Sequence, residues 1–93
     1  MQGTKHDENK PDYTLLPWAA VLDVVRVLEF GERKYARNNW RLVSKVRYVR
    51  AAFRHLIAYA SGEVLDPESN LPHLAHCACC ILFILELDRE IQS

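Results

Sequence analysis

The sequence predicts an all-α fold of three helices, on three observations. Apolar residues recur at three- and four-residue spacing over three separate stretches. No segment alternates apolar and polar residues as a half-buried strand does. Proline and asparagine fall between those stretches and not within them. Ninety-three residues make one domain whose core is modest if it stands alone. At 49% hydrophobic and 26% charged residues the chain is too apolar to be disordered.

Residues 1–12 are polar and aperiodic and read as a flexible N-terminal tail. Residues 13–93 read as a single all-α domain. Pro11, Thr14 and Pro17 punctuate the entry to the first helix, and Pro17 suits a first turn because its missing N–H has no partner there. From Trp18 to about Glu32 the pattern is helical. Trp18, Val21, Leu22, Val25, Leu28 and Glu29 share one side, with Asp23 and Arg26 facing away. Gly31 falls near the end, and Lys34 and Arg37 are placed to meet the negative end of the helix dipole.

Asn38-Asn39-Trp40 is a loop signal; Trp40 there either caps the core or, as Tyr35 also could, offers a stacking surface for a base. The second helix runs from about Ser44, an N-cap residue type, to Ser61. Val46, Val49, Phe53, Leu56, Ile57 and Ala60 form its apolar face. Arg47, Arg50 and Arg54 line up on another, where they are either solvated or a clamp for phosphate oxygens. Gly62 ends that helix. The third helix starts near Pro72 and runs to about Glu90. It is apolar on almost every side, which implies burial all round. Three helices of this length cannot cover it, so a helical-bundle homo-oligomer is expected, with a dimer as the unit.

A formal net charge of zero gives no global field to draw duplex nucleic acid or an anionic membrane, so any basic site is local. No apolar run is long enough to span a bilayer, and the N-terminus lacks an apolar signal region. Three cysteines crowded at Cys77, Cys79 and Cys80 argue for a reducing compartment, hence a cytoplasmic location.

The chemistry concentrates between Arg54 and Cys80. Arg54, His55, Glu63, Asp66, Glu68, His73 and His76 lie in that short span, beside the apolar helices. His73 and His76 sit one turn apart with Glu63 and Asp66 just upstream, a pattern for metal or phosphate contact. Oxygen ligands would favour Mg²⁺ or Mn²⁺, and histidines a transition metal. Asp66 before Pro67 also suits a local cap, and Asn70 a helix start. The cysteines pair with histidines at a spacing of four, but buried thiols in an apolar helix are ordinary packing residues. Two carboxylate pairs share one spacing, Glu29-x-x-Glu32 and Glu63-x-x-Asp66. Facing each other, they would cage a divalent metal for a triphosphate.

Four pieces in order, KPDYTLLP (10–17), FGERKYARNNW (30–40), RHLIAYASGE (54–63) and DPESNLPHLAHCACCILFILEL (66–87), resemble the N-terminal domain of the bacteriophage and prophage dATP/dGTP diphosphohydrolase family. The resemblance implies kinship with all-α, oligomeric nucleoside triphosphate pyrophosphohydrolases of the MazG type. Those hold magnesium on an ExxE and an ExxD pair and cleave between the α- and β-phosphates. Carried over, Glu63 and Asp66 match the ExxD half, and Glu29 and Glu32 the ExxE half. Lys34, Tyr35, Asn39, Trp40, Arg54, His55, Gly62, Glu63, Asp66, Glu68, Ser69, His73 and His76 are the family-like polar set. Three functions stay open. The first is a Mg²⁺- or Mn²⁺-dependent pyrophosphohydrolase with Glu63, Asp66, His73 and His76 catalytic and Arg50, Arg54 and Lys34 on the phosphates. The second is a protein that sequesters a nucleotide without cleaving it, and the third a structural helical oligomer.

Overall fold

The computed structural model describes residues 3–92. Helix α1 spans Trp18–Tyr35, α2 Lys45–Ala60 and α3 His73–Gln92. Single turns of 3-10 helix at Tyr13–Leu15 and Asn39–Leu42 precede α1 and join it to α2. Among the described residues there is no strand, only an isolated antiparallel bridge between Leu65 and Pro72. The chain is all-α with three helices, as its periodicity predicts. No described helix is long and apolar enough to cross a membrane.

Pro17 opens α1 by giving its carbonyl to the Val21 N–H at 3.0 Å. The helix runs through Gly31, past the end expected near Glu32, because nothing there turns the backbone left-handed. The stop comes at Ala36 (φ 126°) and Asn38 (φ 66°). Ser44 has the extended backbone of an N-cap, but its side chain makes no capping bond. The end of α2 is a Schellman motif: Gly62 at φ 101° lets its N–H reach the Tyr59 carbonyl and the Glu63 N–H reach that of Ala58.

Helix α3 is the centre. Helix α2 lies along much of its length, α1 meets it over a shorter patch, and α1 and α2 barely touch each other. The buried core is small: Val27 of α1 with Ala75 and Cys79 of α3, backed by Val24, Leu71 and Phe83. Cys79 donates its thiol to the Val24 carbonyl at 3.5 Å.

The buried faces differ from the expected ones. On α1 the strip against α3 carries Val24 and Val27, while Trp18, Leu22, Val25 and Leu28 are exposed. On α2 the expected apolar face, Val46, Val49, Phe53, Leu56 and Ile57, is also exposed, and on α3 so are Leu74, Ile81, Leu82 and Leu85. The physical reason is that each helix is apolar over more of its circumference than a single neighbour can cover. The chain is correspondingly spread out. Its radius of gyration is 16.6 Å, against about 12 Å for a compact domain of this length.

Candidate functional site

The loop between α2 and α3 folds back on itself and builds the site. The Asp66 N–H donates to the Leu71 carbonyl at 2.8 Å, and the His73 N–H to that of Val64 at 2.9 Å. The turn closes at Asn70, whose N–H donates to the Asp66 carbonyl and whose backbone is left-handed at φ 60°. Asn70 therefore shapes the loop and does not start α3. Asp66 does cap: its Oδ1 accepts the N–H groups of Glu68 (2.7 Å) and Ser69 (3.1 Å).

This fold-back sets three histidines together. His73 is 5% exposed. Its Nε2 lies 2.6 Å from Glu63 Oε1, and its Nδ1 lies 2.8 Å from His55 Nδ1. An ionised carboxylate only accepts, so His73 donates from Nε2, and in the neutral ring that leaves Nδ1 to accept the His55 N–H. Asp66 Oδ2 stands 3.9 Å from the same His55 nitrogen. The His76 ring stacks on His55 with centroids 4.6 Å apart and meets the edge of Phe30. His76 Nε2 lies 2.7 Å from Ser69 Oγ, which itself accepts the Leu71 N–H.

Burial holds the imidazoliums of His55 and His76 below the ordinary histidine range, and the neighbouring histidines add to the effect. Both rings are therefore neutral at physiological pH and able to accept a proton. For Asp66, burial pushes the pKa upward, but the Ser69 and Glu68 N–H groups and the nearby imidazoles outweigh it and hold the carboxyl low.

The cluster opens onto a cleft of about 890 Å³ between α1, α2 and α3. Glu29, Glu32, Lys34, Tyr35, Asn39 and Trp40 line it from α1 and the following turn. Arg54 and His55 line it from α2, and Asp66, Glu68 and His76 from the loop and α3.

The family follows from the whole length of the chain. Residues 1–93 match the family model described as dATP/dGTP diphosphohydrolase, N-terminal. The chain belongs to this family. A protein of Salmonella phage PMBT28 named dATP/dGTP diphosphohydrolase is 36% identical to it over 87 residues, which cover 94% of this chain and 30% of that protein. The chain thus spans under a third of the length of that relative. No solved structure matches it.

Within this member of the family, several expected site residues are not on the cleft wall. Glu63 sits behind His73 and holds it; His73 is covered, and Ser69 supports His76. Arg50 is not among the residues that line the cleft; the α2 arginines on the wall are Arg47 and Arg54, and Arg37 joins them from the end of α1. The spacing of seven between Arg47 and Arg54, two helical turns, is the signal that joins them and leaves Arg50 out. Trp40 is stacked on Phe83 at 4.6 Å, and the Arg41 guanidinium lies over its ring at 4.4 Å. Two groups so close to one ring take opposite faces, so Trp40 caps the core. The more exposed aromatic of the cleft is Tyr35, 61% exposed, with the Lys34 ammonium over its ring at 5.1 Å.

Of the four carboxylates expected to cage a metal, Asp66 lies in the histidine cluster. Glu32 pairs with Arg37 at 3.3 Å, and Glu29 lines the cleft nearby. Lys34 pairs with Glu68 across the cleft mouth, and this contact with Glu68 raises the lysine pKa. The three cysteines are buried, free thiols of α3. Burial pushes Cys79 up to about 12 and Cys80 up to about 11, so both are neutral thiols packed in α3.

Proposed function

We propose that this domain binds a purine deoxynucleoside triphosphate in the cleft and takes part in its hydrolysis to monophosphate and pyrophosphate. One observation carries the reading: a cleft large enough for a nucleotide has arginines on one wall and a neutral histidine–carboxylate cluster at its end. The name of the Salmonella phage relative supports the substrate.

The chemistry assigns roles to the chain's own groups. Arg47, Arg54 and Lys34 neutralise the phosphates, with guanidinium forks matching their oxygens. Tyr35 offers its ring to the base. Water adds to phosphorus, the P–O bond between α- and β-phosphates breaks, and pyrophosphate leaves. His55 or His76, neutral at the outset, takes the proton from the water. Glu63 fixes His73, which in turn positions His55, while Asp66 faces His55 and Ser69 holds His76. A divalent cation, Mg²⁺ or Mn²⁺, would polarise the phosphate and acidify the water. Asp66, Glu29 and Glu32 are the oxygen donors on offer for it, while Glu63 is committed to His73.

The exposed apolar strips of α1 and α2 support self-association into a homo-oligomer. The free thiols fit a cytoplasmic setting.

The test incubates the chain with dATP or dGTP and Mg²⁺ or Mn²⁺, with ion-exchange separation of products and light scattering on the same sample. Monophosphate and pyrophosphate should appear from an oligomer, and Arg54→Ala should lower kcat/KM about 100-fold, or roughly 3 kcal/mol. Nucleotide recovered bound but intact would overturn hydrolysis, and no binding at all would overturn the whole reading. A monomer would remove the oligomer.

A further inference from the structure

We propose that His55 Nδ1, His73 Nδ1 and Asp66 Oδ2 form a binding site for one divalent transition ion of the manganese-to-zinc series, with Glu63 orienting His73. The site shares only Asp66 with the carboxylates on offer to magnesium or manganese, and its two imidazole nitrogens set it apart from an all-oxygen cage. It deepens the proposed function without resting on it, since the ion would bind in the absence of nucleotide.

Geometry is the first argument. Donors about 2.1 Å from a shared ion lie about 3.0 Å apart at a right angle and at most about 4.2 Å apart across it. The two imidazole nitrogens stand 2.8 Å apart, and the carboxylate oxygen stands 3.9 Å from His55 Nδ1. One ligand atom from each of His55, Asp66 and His73 lies within 4.8 Å of the other two. The donors therefore stand within a small side-chain adjustment of one shared ion, which replaces the proton now shared between the two rings. His55 needs only to move that proton to its Nε2.

The second argument is how the loop divides its bonds. Both backbone donors that Asp66 caps go to Oδ1, which leaves Oδ2 facing His55. Glu63 takes the far nitrogen of His73 at 2.6 Å. That is how a carboxylate fixes the tautomer of a metal-bound imidazole and turns its other nitrogen into a ligand. A histidine 5% exposed, with a carboxylate behind it and a second imidazole in front, is already aimed.

The third argument is the donor set. Two nitrogens and one oxygen suit Mn²⁺, Fe²⁺, Co²⁺ or Zn²⁺, whereas Mg²⁺ takes oxygen and keeps its waters. Three protein ligands leave coordination positions for water or a phosphate oxygen, and the cleft lies on that side. The nearby thiols do not compete, because burial keeps Cys79 and Cys80 protonated.

The experiment titrates the full chain with Co²⁺, without nucleotide, and follows its visible absorption. One ion per chain is expected, with the bands of a nitrogen–oxygen site and no sulfur-to-cobalt charge-transfer band. Zn²⁺ should displace it, and Mg²⁺ at the same concentration should not. His73→Ala and Asp66→Ala should weaken binding about 100-fold or more, and Glu63→Gln about 10-fold. Because His73 is buried, its variant is checked by circular dichroism. His55→Gln and the imidazole ¹⁵N shifts of the native chain with Zn²⁺ decide the matter if that variant unfolds; His55 and His73 signals should move and those of His6 should not. Absence of stoichiometric binding, a thiolate band, or full affinity in His55→Gln would overturn the site. Hydrolysis is judged by its own assay, so the two readings fail separately.

Discussion

Helices α1 and α2 lean on the same face-rich α3 but are held in different ways. Helix α2 is fastened along its length. Lys45 pairs with Asp88 at 2.6 Å and Tyr48 packs on Phe83 from its first turn, and His55 meets His73 two turns further on. Helix α1 rests on the small patch of Val24 and Val27, with Phe30 against His76 and Lys34 against Glu68 at its far end. One wall of the cleft is therefore bolted to the centre and the other is propped against it. The contacts that α1 makes beyond its valine patch go to site residues. A ligand that rearranges His76 or Glu68 changes what holds that wall.

The largest effect should come from the bolted side. Phe83 stacks on Trp40 and meets Tyr48 at a tilt, and Phe83→Ala should cost about 3 kcal/mol in urea unfolding. Val27→Ala, on the propped side, removes two methyl groups and should cost about 1.5 kcal/mol. Equal losses at the two positions would erase the distinction between the walls.

A smaller effect should appear with pH, and it belongs to the site. Burial lowers the pKa of His55 and His76 in the fold, so the unfolded chain takes up protons first as pH falls. Stability should therefore decline from about pH 6.5, the free histidine value, until the folded rings also protonate. Asp66, also lowered, should add a second decline below the ordinary carboxylate range. At the alkaline end the sign reverses, because the Cys79 and Cys80 pKa values are raised. Their contribution should be lost from about pH 9, where unfolded thiols ionise. Thermal melts from pH 2 to pH 10 check this, and a flat profile between pH 7 and pH 5 would show that the histidine cluster is not coupled to folding. His55→Gln should flatten the acid limb.

Much of this arrangement is legible in the chain. The three helices start within a residue or two of where Pro17, Ser44 and Pro72 place them, and Gly62 ends α2 as a left-handed cap. Which side of each helix is buried is not legible, because α1 and α2 carry two apolar strips and only α3 is present to cover them. The crowding of polar groups between Arg54 and His76 is visible in the sequence, but their partners are not. His55 meets His73, eighteen positions away, only because the Asn70 turn and the Leu65–Pro72 bridge reverse the loop. That reversal depends on backbone bonds, which leave no periodic trace. Arg47 was the residue easiest to miss, since a single arginine stripe hides which two members share a face.

The smallest prediction tests the joint of the propped wall. Ala36 ends α1 with φ 126° and ψ 159°, a backbone region that belongs almost wholly to glycine and costs a side-chain-bearing residue about 1–3 kcal/mol. Ala36→Gly relieves that strain. It also gives the unfolded chain more freedom, which offsets the gain by about 0.5–1 kcal/mol. The net should be a stabilisation of about 1 kcal/mol, opposite in sign to the usual alanine-to-glycine change in a helix. Urea midpoints of the two proteins decide it, and a loss of stability would mean that the joint holds no strain. Ala36 lines the cleft, so the same variant reads a second quantity. If the strain sets the angle of α1, relieving it should change nucleotide affinity as well as stability; if only stability moves, the wall is positioned by Val24 and Val27 alone.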